Sequence, residues 1–235
     1  MYKNEYPFYP VGQKQTVEFI SPAEKHDWKR YKKAFTLDWY YNQHKVFYEI
    51  NELGYRCKYT YPPEQDYILV AGCSHTFGHS VRQEHRYSDL LENKLNKPVL
   101  NIGVSGGSCN LVKDNLLQLI ASGYTLPKAI IVQWPEENRL WLDQLPITAS
   151  SGIAPELLKG DTIKNISSHA FNTTLKLCEK FNMIHIGWKV HDHNSFDIPK
   201  LGMVDTGRDG HHPGIESHNY YYQHLITKLE ENGIQ

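Results

Sequence analysis

Four short apolar segments in the later part of the chain constrain its fold more than any other feature of the sequence. Each is about five residues long and is bounded by glycine or polar residues; they cover residues 67–71, 98–102, 129–133 and 183–187. Continuous apolar runs of this length are typical of parallel strands that are buried on both faces. Because amphipathic stretches separate them, the alternation predicts a parallel sheet covered by helices on both sides. The predicted class is α/β, with three layers in the order α/β/α.

The stretches between the predicted strands have the marks of helices. Ser88 is a suitable N-cap for a helix that carries three leucines. Residues 110–121 place their aliphatic side chains largely on one face, and Gly123 follows as a C-terminal stop. Residues 166–181 and 215–229 predict two further helices.

Two segments depart from this alternation. Residues 1–65 are rich in tyrosine and tryptophan, so we divide the chain into an aromatic-rich extension and a main domain of residues 66–235. Within the extension a helix is predicted over residues 38–53, ending at Gly54. The aromatic side chains are expected to pack against the main domain; a docking surface for another subunit or protein is the alternative. Residues 143–164, with several prolines and glycines, form either a lid or a surface loop without a role.

The composition argues against several classes of protein. A formal net charge of -1 over 235 residues gives no global attraction to nucleic acid or to an anionic membrane. No run approaches the roughly 18 apolar residues that a membrane span requires, and the first residues lack the apolar core of a secretory signal. The four cysteines lie far apart, without the paired spacing of a zinc ribbon or a disulfide framework. We therefore expect a cytoplasmic protein that binds neither nucleic acid nor membranes.

Two polar segments, far apart in the sequence, carry the candidate chemistry. Residues 72–78 follow the first predicted strand and contain Ser74, and residues 209–214 near the C-terminus contain Asp209 and His212. In an open α/β sheet, ligands bind at the carboxyl ends of the strands, and the N-terminal N–H groups of a following helix favour negative charge there. Serine attacks poorly until a base takes its proton, and an imidazole base is oriented by a carboxylate. The two segments therefore predict hydroxyl-based nucleophilic catalysis.

A glycine-rich turn follows the second predicted strand. Residues 103–107 contain three glycines, which let backbone N–H groups approach a ligand closely. The spacing is not that of a dinucleotide-binding loop, and no acidic residue ends the following strand. A plain tight turn between strand and helix is the alternative.

Taken together, these segments resemble three of the four sequence blocks of the SGNH (GDSL-type) hydrolases. The resemblance implies a flavodoxin-like fold and serine ester hydrolysis without a cofactor or a metal. It assigns the nucleophile to Ser74, the orienting carboxylate and the general base to Asp209 and His212, and the oxyanion hole to the N–H groups of Ser74 and Gly106. It also implies a small ester or O-acyl substrate, for example an O-acetylated carbohydrate.

The chain departs from that family's pattern at two positions. Cys73 stands where the first block has aspartate, and no asparagine occupies the expected position of the third block. Losing such an oxyanion donor costs on the order of 10²–10³ in rate, and the amide of Gln133 is the candidate substitute. Four further residues are expected near the substrate: His75, Trp134, Arg139 and His211.

Three chemical alternatives remain open on the sequence. His75 with His79, or His191 with His193, could ligate zinc, although neither pair has the spacing of a known motif. Cys73 could act as a thiol nucleophile in place of its neighbour, and Asp205 could replace Asp209 as the orienting carboxylate.

A protein of another class is the broader alternative. Because function resides in sites rather than folds, the missing asparagine and the aromatic extension are also compatible with a binding or structural protein of the same fold. By resemblance, such a protein would belong to a larger assembly, for example that of a tailed phage, or would form a homo-oligomer through its first residues.

Overall fold

The structure is a computed structural model, and it describes residues 6–20, 40–142, 145–147, 161–189 and 201–235. In chain order its elements are β1 (Gln15–Phe19), α1 (Tyr40–Gln43), β2 (Val46–Ile50), β3 (Ile68–Gly72), α2 (Ser74–Phe77), a 3₁₀ turn (Gln83–His85), α3 (Tyr87–Leu95), β4 (Val99–Asn101), α4 (Cys109–Ser122), β5 (Ala129–Gln133), β6 (Leu140–Leu142), β7 (Leu145–Ile147), α5 (Asp161–Lys180), β8 (Ile184–Trp188) and α6 (Ile215–Glu231). None of the described helices is long and apolar enough to cross a bilayer.

A parallel sheet of four strands, in the order β4-β3-β5-β8, forms the centre of the fold. Every residue of β3 and β5 is buried, as expected of strands that are covered on both faces. The four predicted strands are confirmed, with limits that shift by one residue at three of them and not at all at β5.

The alternation of side chains along the strands decides which helices cover each face of the sheet. On one face, Leu69 and Ile130 pack with α4 and α5. On the other face, Val70 and Ile131 pack with α3 and α6. The three-layer α/β/α architecture is therefore confirmed. It places the carboxyl ends of β3, β4 and β5 together at one edge of the sheet.

Two predicted helix limits differ from the structure. The prediction that Ser88 caps α3 is wrong, because the helix already begins at Tyr87 and Ser88 lies in its first turn. The Ser88 hydroxyl instead accepts a hydrogen bond from Asn101 Nδ2 at 2.9 Å and thus ties α3 to β4. Helix α5 begins at Asp161, ahead of the predicted start at residue 166. The end of α4 is as predicted, with Gly123 in the left-handed conformation.

The predicted helix over residues 38–53 is also wrong. Among the residues of this range that the structure describes, only Tyr40–Gln43 is helical, and Val46–Ile50 forms β2, which pairs antiparallel with β1. In β2, buried and exposed residues alternate with the two-residue period of a strand. This alternation favours a strand, although the apolar residues around it have the spacing of a helix.

We call the pair β1 and β2 the N-terminal ribbon. Its buried side chains form one apolar cluster with residues of α1, of α2 and of the loop after α2: Phe19, Tyr41, Val46, Tyr48, Ile50, Phe77 and Val81. The buried aromatic residues of the ribbon, Phe19 and Tyr48, therefore pack against the main domain, whereas Tyr6, Tyr9, Phe47 and Tyr61 are exposed. The division near residue 65 stays a prediction. The aromatic residues between 21 and 39, and most of the segment 143–164, lie outside the described residues.

Candidate active site

Ser74 lies at the carboxyl end of the central strand β3, where the chain turns sharply. Gly72 has φ 155°, and a Cβ atom at this position would lie 2.3 Å from Thr76 Oγ1 and 2.7 Å from the backbone oxygen of Gln133. Only glycine fits this turn, because any side chain would collide with the neighbouring strand end. Cys73 follows in an extended conformation, and Ser74 begins α2. Because α2 is a single turn, it contributes free N–H groups rather than the dipole of a full helix.

The structure brings together the three side chains on which the sequence prediction depends. His212 Nε2 lies 3.0 Å from Ser74 Oγ, and His212 Nδ1 lies 2.5 Å from Asp209 Oδ2. Both distances are those of hydrogen bonds, and the shorter one is typical of a charge-assisted bond. The serine hydroxyl, the imidazole and the carboxylate thus form one continuous chain across residues that are 138 positions apart in sequence.

Backbone hydrogen bonds fix the carboxylate of this chain. Asp209 Oδ1 accepts hydrogen bonds from the N–H groups of His211 and His212, each at 3.0 Å. Burial alone would raise the pKa of the Asp209 carboxyl, but the hydrogen bonds from His212 and His211 and the charge of His212 outweigh it. The pKa is therefore held below its ordinary value. The carboxylate remains ionised at neutral pH and can stabilise a positive charge on the imidazole.

The other aspartate of this segment, Asp205, has a different role. Its Oδ1 accepts a hydrogen bond from the Ser217 N–H at 2.7 Å, and its Oδ2 accepts one from the Glu216 N–H at 3.1 Å. It therefore satisfies free N–H groups at the start of α6. This leaves Asp209 as the carboxylate that contacts His212.

The glycine-rich turn after β4 packs against the turn that carries Ser74. The Val104 N–H donates to the Gly72 carbonyl at 3.2 Å, and the Gly107 N–H donates to the Val104 carbonyl at 2.9 Å. Gly106 has φ 77°, a conformation that favours glycine. Within the part of the chain that the structure describes, neither the Ser74 nor the Gly106 N–H has a hydrogen-bond acceptor. Both donors are available to a ligand.

A chain of buried hydroxyl groups orients the side chain of Gln133. The Tyr87 hydroxyl donates to Thr76 Oγ1 at 3.1 Å, and the Thr76 hydroxyl donates to Gln133 Oε1 at 3.1 Å. With its oxygen occupied in this way, the amide directs Nε2 towards His75 Nδ1, which lies 3.4 Å away. His75 is the immediate neighbour of Ser74, so the amide donor points to the region of the nucleophile. Neither Thr76 nor Tyr87 was part of the sequence prediction.

A cavity of about 440 Å³ opens beside this amide. Its lining combines polar and apolar surface, and its residues are Cys73, His75, Gln133, Trp134, Pro135, Glu136, Glu137, Asn138, Arg139, Lys164 and Lys189. Of the four residues predicted near the substrate, His75, Trp134 and Arg139 line this cavity and His211 does not. Trp134 is only 3% exposed and packs edge to face against Phe171 at 4.9 Å, so most of its ring belongs to the core.

The geometry tests the two remaining chemical alternatives, which are Cys73 as the nucleophile and a metal site. Because His212 Nε2 contacts Ser74 Oγ, the hydroxyl and not the thiol of Cys73 is paired with the imidazole. His79, Asp209 and His212 have donor atoms within 4.8 Å of one another, a grouping that could in principle hold a metal ion. Two ligands of one zinc ion are about 3.3 Å apart, given bonds of about 2.1 Å. The separation of 2.5 Å between His212 and Asp209 therefore fits a shared proton and not an ion. His191 and His193 lie outside the described residues.

Comparison with known proteins gives similarity to solved structures alone. No family model and no curated protein matches the sequence. A structure described as a lipolytic protein of the G-D-S-L family from Desulfitobacterium hafniense DCB-2 is similar at 15% identity and a TM-score of 0.36, over 72% of this chain and 75% of that one. The psychrotrophic esterase EstA from a Pseudoalteromonas species is similar at 12% identity and a TM-score of 0.41, over 71% and 98%. The acetyl xylan esterase Est2A from Butyrivibrio proteoclasticus is similar at 15% identity and a TM-score of 0.40, over 74% and 65%. These similarities are too distant to carry a function, which therefore has to rest on the site.

Proposed function

We propose that the protein is a serine ester hydrolase of the SGNH type, with Ser74 as nucleophile, His212 as general base and acid, and Asp209 as the carboxylate that orients it. The continuous hydrogen-bond chain from Ser74 Oγ through His212 to Asp209 Oδ2 carries this proposal. The fold does not need such a chain at the end of a strand, because a single polar side chain there would satisfy the free N–H groups. It is the arrangement that activates a hydroxyl near neutral pH.

The reaction proceeds by acyl transfer in two steps. As Ser74 Oγ attacks the ester carbonyl carbon, His212 Nε2 takes the hydroxyl proton. It then gives this proton to the leaving alkoxide as the carbon–oxygen bond breaks. In the second step His212 takes a proton from water, which attacks the acyl carbon, and returns it to Ser74 Oγ as the acid departs. Asp209 remains ionised throughout and stabilises the imidazolium.

The oxyanion of each tetrahedral intermediate needs donors that are already in place. The unpaired N–H groups of Ser74 and Gly106 supply two of them, and Gln133 Nε2 is the proposed third. Because Thr76 holds Oε1 of this amide, the donor end needs no reorganisation when negative charge develops. This arrangement supports the substitution of glutamine for the family's asparagine.

The lining of the cavity supports a small, polar substrate. Arg139 is paired with Glu136 and Lys189 with Glu137, so the walls carry charged pairs and amides rather than an aliphatic slot. Hydroxyl-rich alcohols such as sugars can hydrogen-bond to these charged groups and amides, whereas a long acyl chain would remove water from them and offer no hydrogen bond in return. An O-acylated carbohydrate with a short acyl group is the substrate class that we propose.

The test is hydrolysis of p-nitrophenyl acetate by the wild type and two serine variants. Ser74→Ala removes the nucleophile, and we expect it to lower kcat by at least about 10³-fold. Ser105→Ala is the matched control, since Ser105 is an exposed serine of the neighbouring turn and should leave kcat unchanged. Equal turnover of Ser74→Ala and the wild type would overturn the proposal. A wild type without activity, on this ester and on acetylated oligosaccharides, would favour the binding protein.

A further inference from the structure

The proposed mechanism makes no use of His79, although this residue lies against the catalytic chain. His79 Nε2 is 3.8 Å from Asp209 Oδ2, and its ring centroid is 4.5 Å from that of His212. The first distance is too long for a hydrogen bond, so His79 does not share the proton of the pair. Its ring forms a wall beside both the carboxylate and the imidazole.

Aromatic side chains of the N-terminal ribbon hold this wall in place. Phe19 of β1 meets the His79 ring edge to face at 4.7 Å, and Tyr48 of β2 lies 5.7 Å from it. Phe19 and Tyr48 are themselves stacked at 5.3 Å. The ring of His79 thus contacts the ribbon as well as the catalytic pair.

Polar contacts fix the loop that carries His79. The buried guanidinium of Arg56 donates to the carbonyl groups of Gly78 at 2.6 Å and Val81 at 2.9 Å. It also lies 4.4 Å above the ring of Tyr48. Ser80 has the unusual φ of 73°, and its N–H donates to the Tyr48 hydroxyl at 2.9 Å. A non-glycine residue keeps such a conformation only where its surroundings demand it; here they are Tyr48 of the ribbon and Arg208, whose N–H donates to the Ser80 carbonyl at 3.3 Å.

We propose that His79 is a positioning residue of the catalytic chain and that the N-terminal ribbon is the element that positions it. The inference rests on the proposed function in so far as it concerns catalysis. The ribbon holds His79 against His212 and Asp209. This contact limits the rotation of the His212 imidazole and keeps water away from the Asp209 carboxylate. The residues before β3 are then part of the active site rather than an appendage to it.

The charge state of His79 fits this role. Burial and, to a smaller extent, the positive charge of the neighbouring His212 together lower the pKa of His79 to about 4. The ring is therefore neutral at the pH at which a histidine base works. A neutral wall does not compete with His212 for the charge of Asp209, and it keeps the local dielectric constant low, which strengthens their interaction.

The contacts of His79 predict that removal of its ring lowers kcat and leaves KM unchanged. The described contacts of His79 are with His212, Asp209 and the ribbon rather than with the cavity beside Gln133, so its removal should act on the catalytic chain and not on the cavity. A His212 ring that samples other rotamers is competent for a smaller fraction of the time, and that fraction multiplies kcat.

The experiment compares His79→Ala and Phe19→Ala with two controls on the same ribbon. Val17 and Phe47 are 41% and 46% exposed, so Val17→Ala and Phe47→Ala change the ribbon without touching His79. We expect kcat to fall about tenfold in the first pair, with KM within about twofold, and both constants to stay at wild-type values in the controls. His79→Phe restores a neutral aromatic wall and should recover most of the lost kcat. If His79→Ala or Phe19→Ala fails to fold, His79→Leu and Phe19→Leu replace them, because they remove the aromatic ring but keep most of the side-chain volume, and a smaller loss of the same kind is expected.

A second readout separates this inference from the proposed function. The proton between His212 Nδ1 and Asp209 Oδ2 should give a downfield ¹H NMR signal that Asp209→Ala abolishes, whether or not the protein hydrolyses esters. We expect the signal to broaden or disappear in His79→Ala and Phe19→Ala, and to persist in Val17→Ala and Ser74→Ala. An unchanged signal with unchanged kcat in the first two variants would overturn the inference. An equal loss in the controls would do the same, since it would show general damage to the ribbon.

Discussion

The substitution Asp209→Asn separates the electrostatic role of this carboxylate from its structural role. An asparagine keeps the size of the side chain, and its carbonyl oxygen can still accept the hydrogen bonds that the N–H groups of His211 and His212 donate to Asp209 Oδ1. The amide nitrogen then faces His212 Nδ1 in place of Oδ2. Two donors cannot share one hydrogen bond, so Nδ1 must become the acceptor and the proton moves to Nε2. In that tautomer Nε2 cannot take the proton of Ser74.

The expected losses in activity and in stability predict that Asp209→Asn is folded but nearly inactive. The wrong tautomer and the lost charge together should lower kcat by roughly 10³–10⁴-fold, which corresponds to about 4–5.5 kcal/mol of transition-state stabilisation. The cost in stability is smaller, at most about 3 kcal/mol, because the hydrogen bonds remain but their acceptor is no longer charged. The activity should therefore disappear well before the fold does.

The assay measures kcat and KM on p-nitrophenyl acetate, with urea unfolding of the same preparations. Asp205→Asn is the matched control, since asparagine also caps helices well and Asp205 only contacts the start of α6. We expect the control to keep kcat within about threefold of the wild type. An Asp209→Asn variant with more than about a tenth of wild-type kcat would refute the assignment of this carboxylate.

Three further predictions concern the oxyanion hole, the turn and the pH dependence of stability. Gln133→Met should lower kcat by about 10²-fold at little change in KM, because one oxyanion donor is lost; unchanged kcat would show that the backbone N–H groups suffice. Gly72→Ala should destabilise the protein by about 3 kcal/mol or more in urea titrations, whereas Gly202→Ala, which has open space around it, should be neutral; equal midpoints would contradict the steric argument. Burial lowers the pKa of both His79 and His218, so the unfolded chain binds protons first as the pH falls below about 6.5, and stability should decline from there towards about pH 4. Equal urea midpoints at about pH 6.5 and at about pH 4 would exclude this dependence of stability on the two histidines.

The sequence was sufficient for those features that depend on local pattern. The four central strands follow from short apolar runs, and β5 has the predicted limits, with Lys128 directly before it and polar Gln133 as its last residue. The proximity of Ser74 to His212 also follows, since topology places the carboxyl end of β3 where the last loop before α6 must pass. Catalytic roles, the cytoplasmic location and self-association through the first residues stay predictions.

Features that depend on side-chain direction or on distant partners could not be predicted. Gln133 was identified as a candidate donor, but its orientation depends on Thr76 and Tyr87, which no motif connects to it. The sequence predicts a helix over β2, because the pairing of β2 with β1 spans many residues and only the alternation in Val46–Ile50 signals it. The contact of Phe19 with His79 depends on that pairing and has no sequence signature of its own.

Covalent labelling with a fluorophosphonate tests the central claim most directly, because the reagent reacts with a serine only if a base removes its proton. We expect the wild type to gain one label per chain, located at Ser74 by peptide mapping, and His212→Ala to gain none under the same conditions. Labelling that is absent from the wild type, or that persists in His212→Ala, would contradict the account of an activated serine at this site.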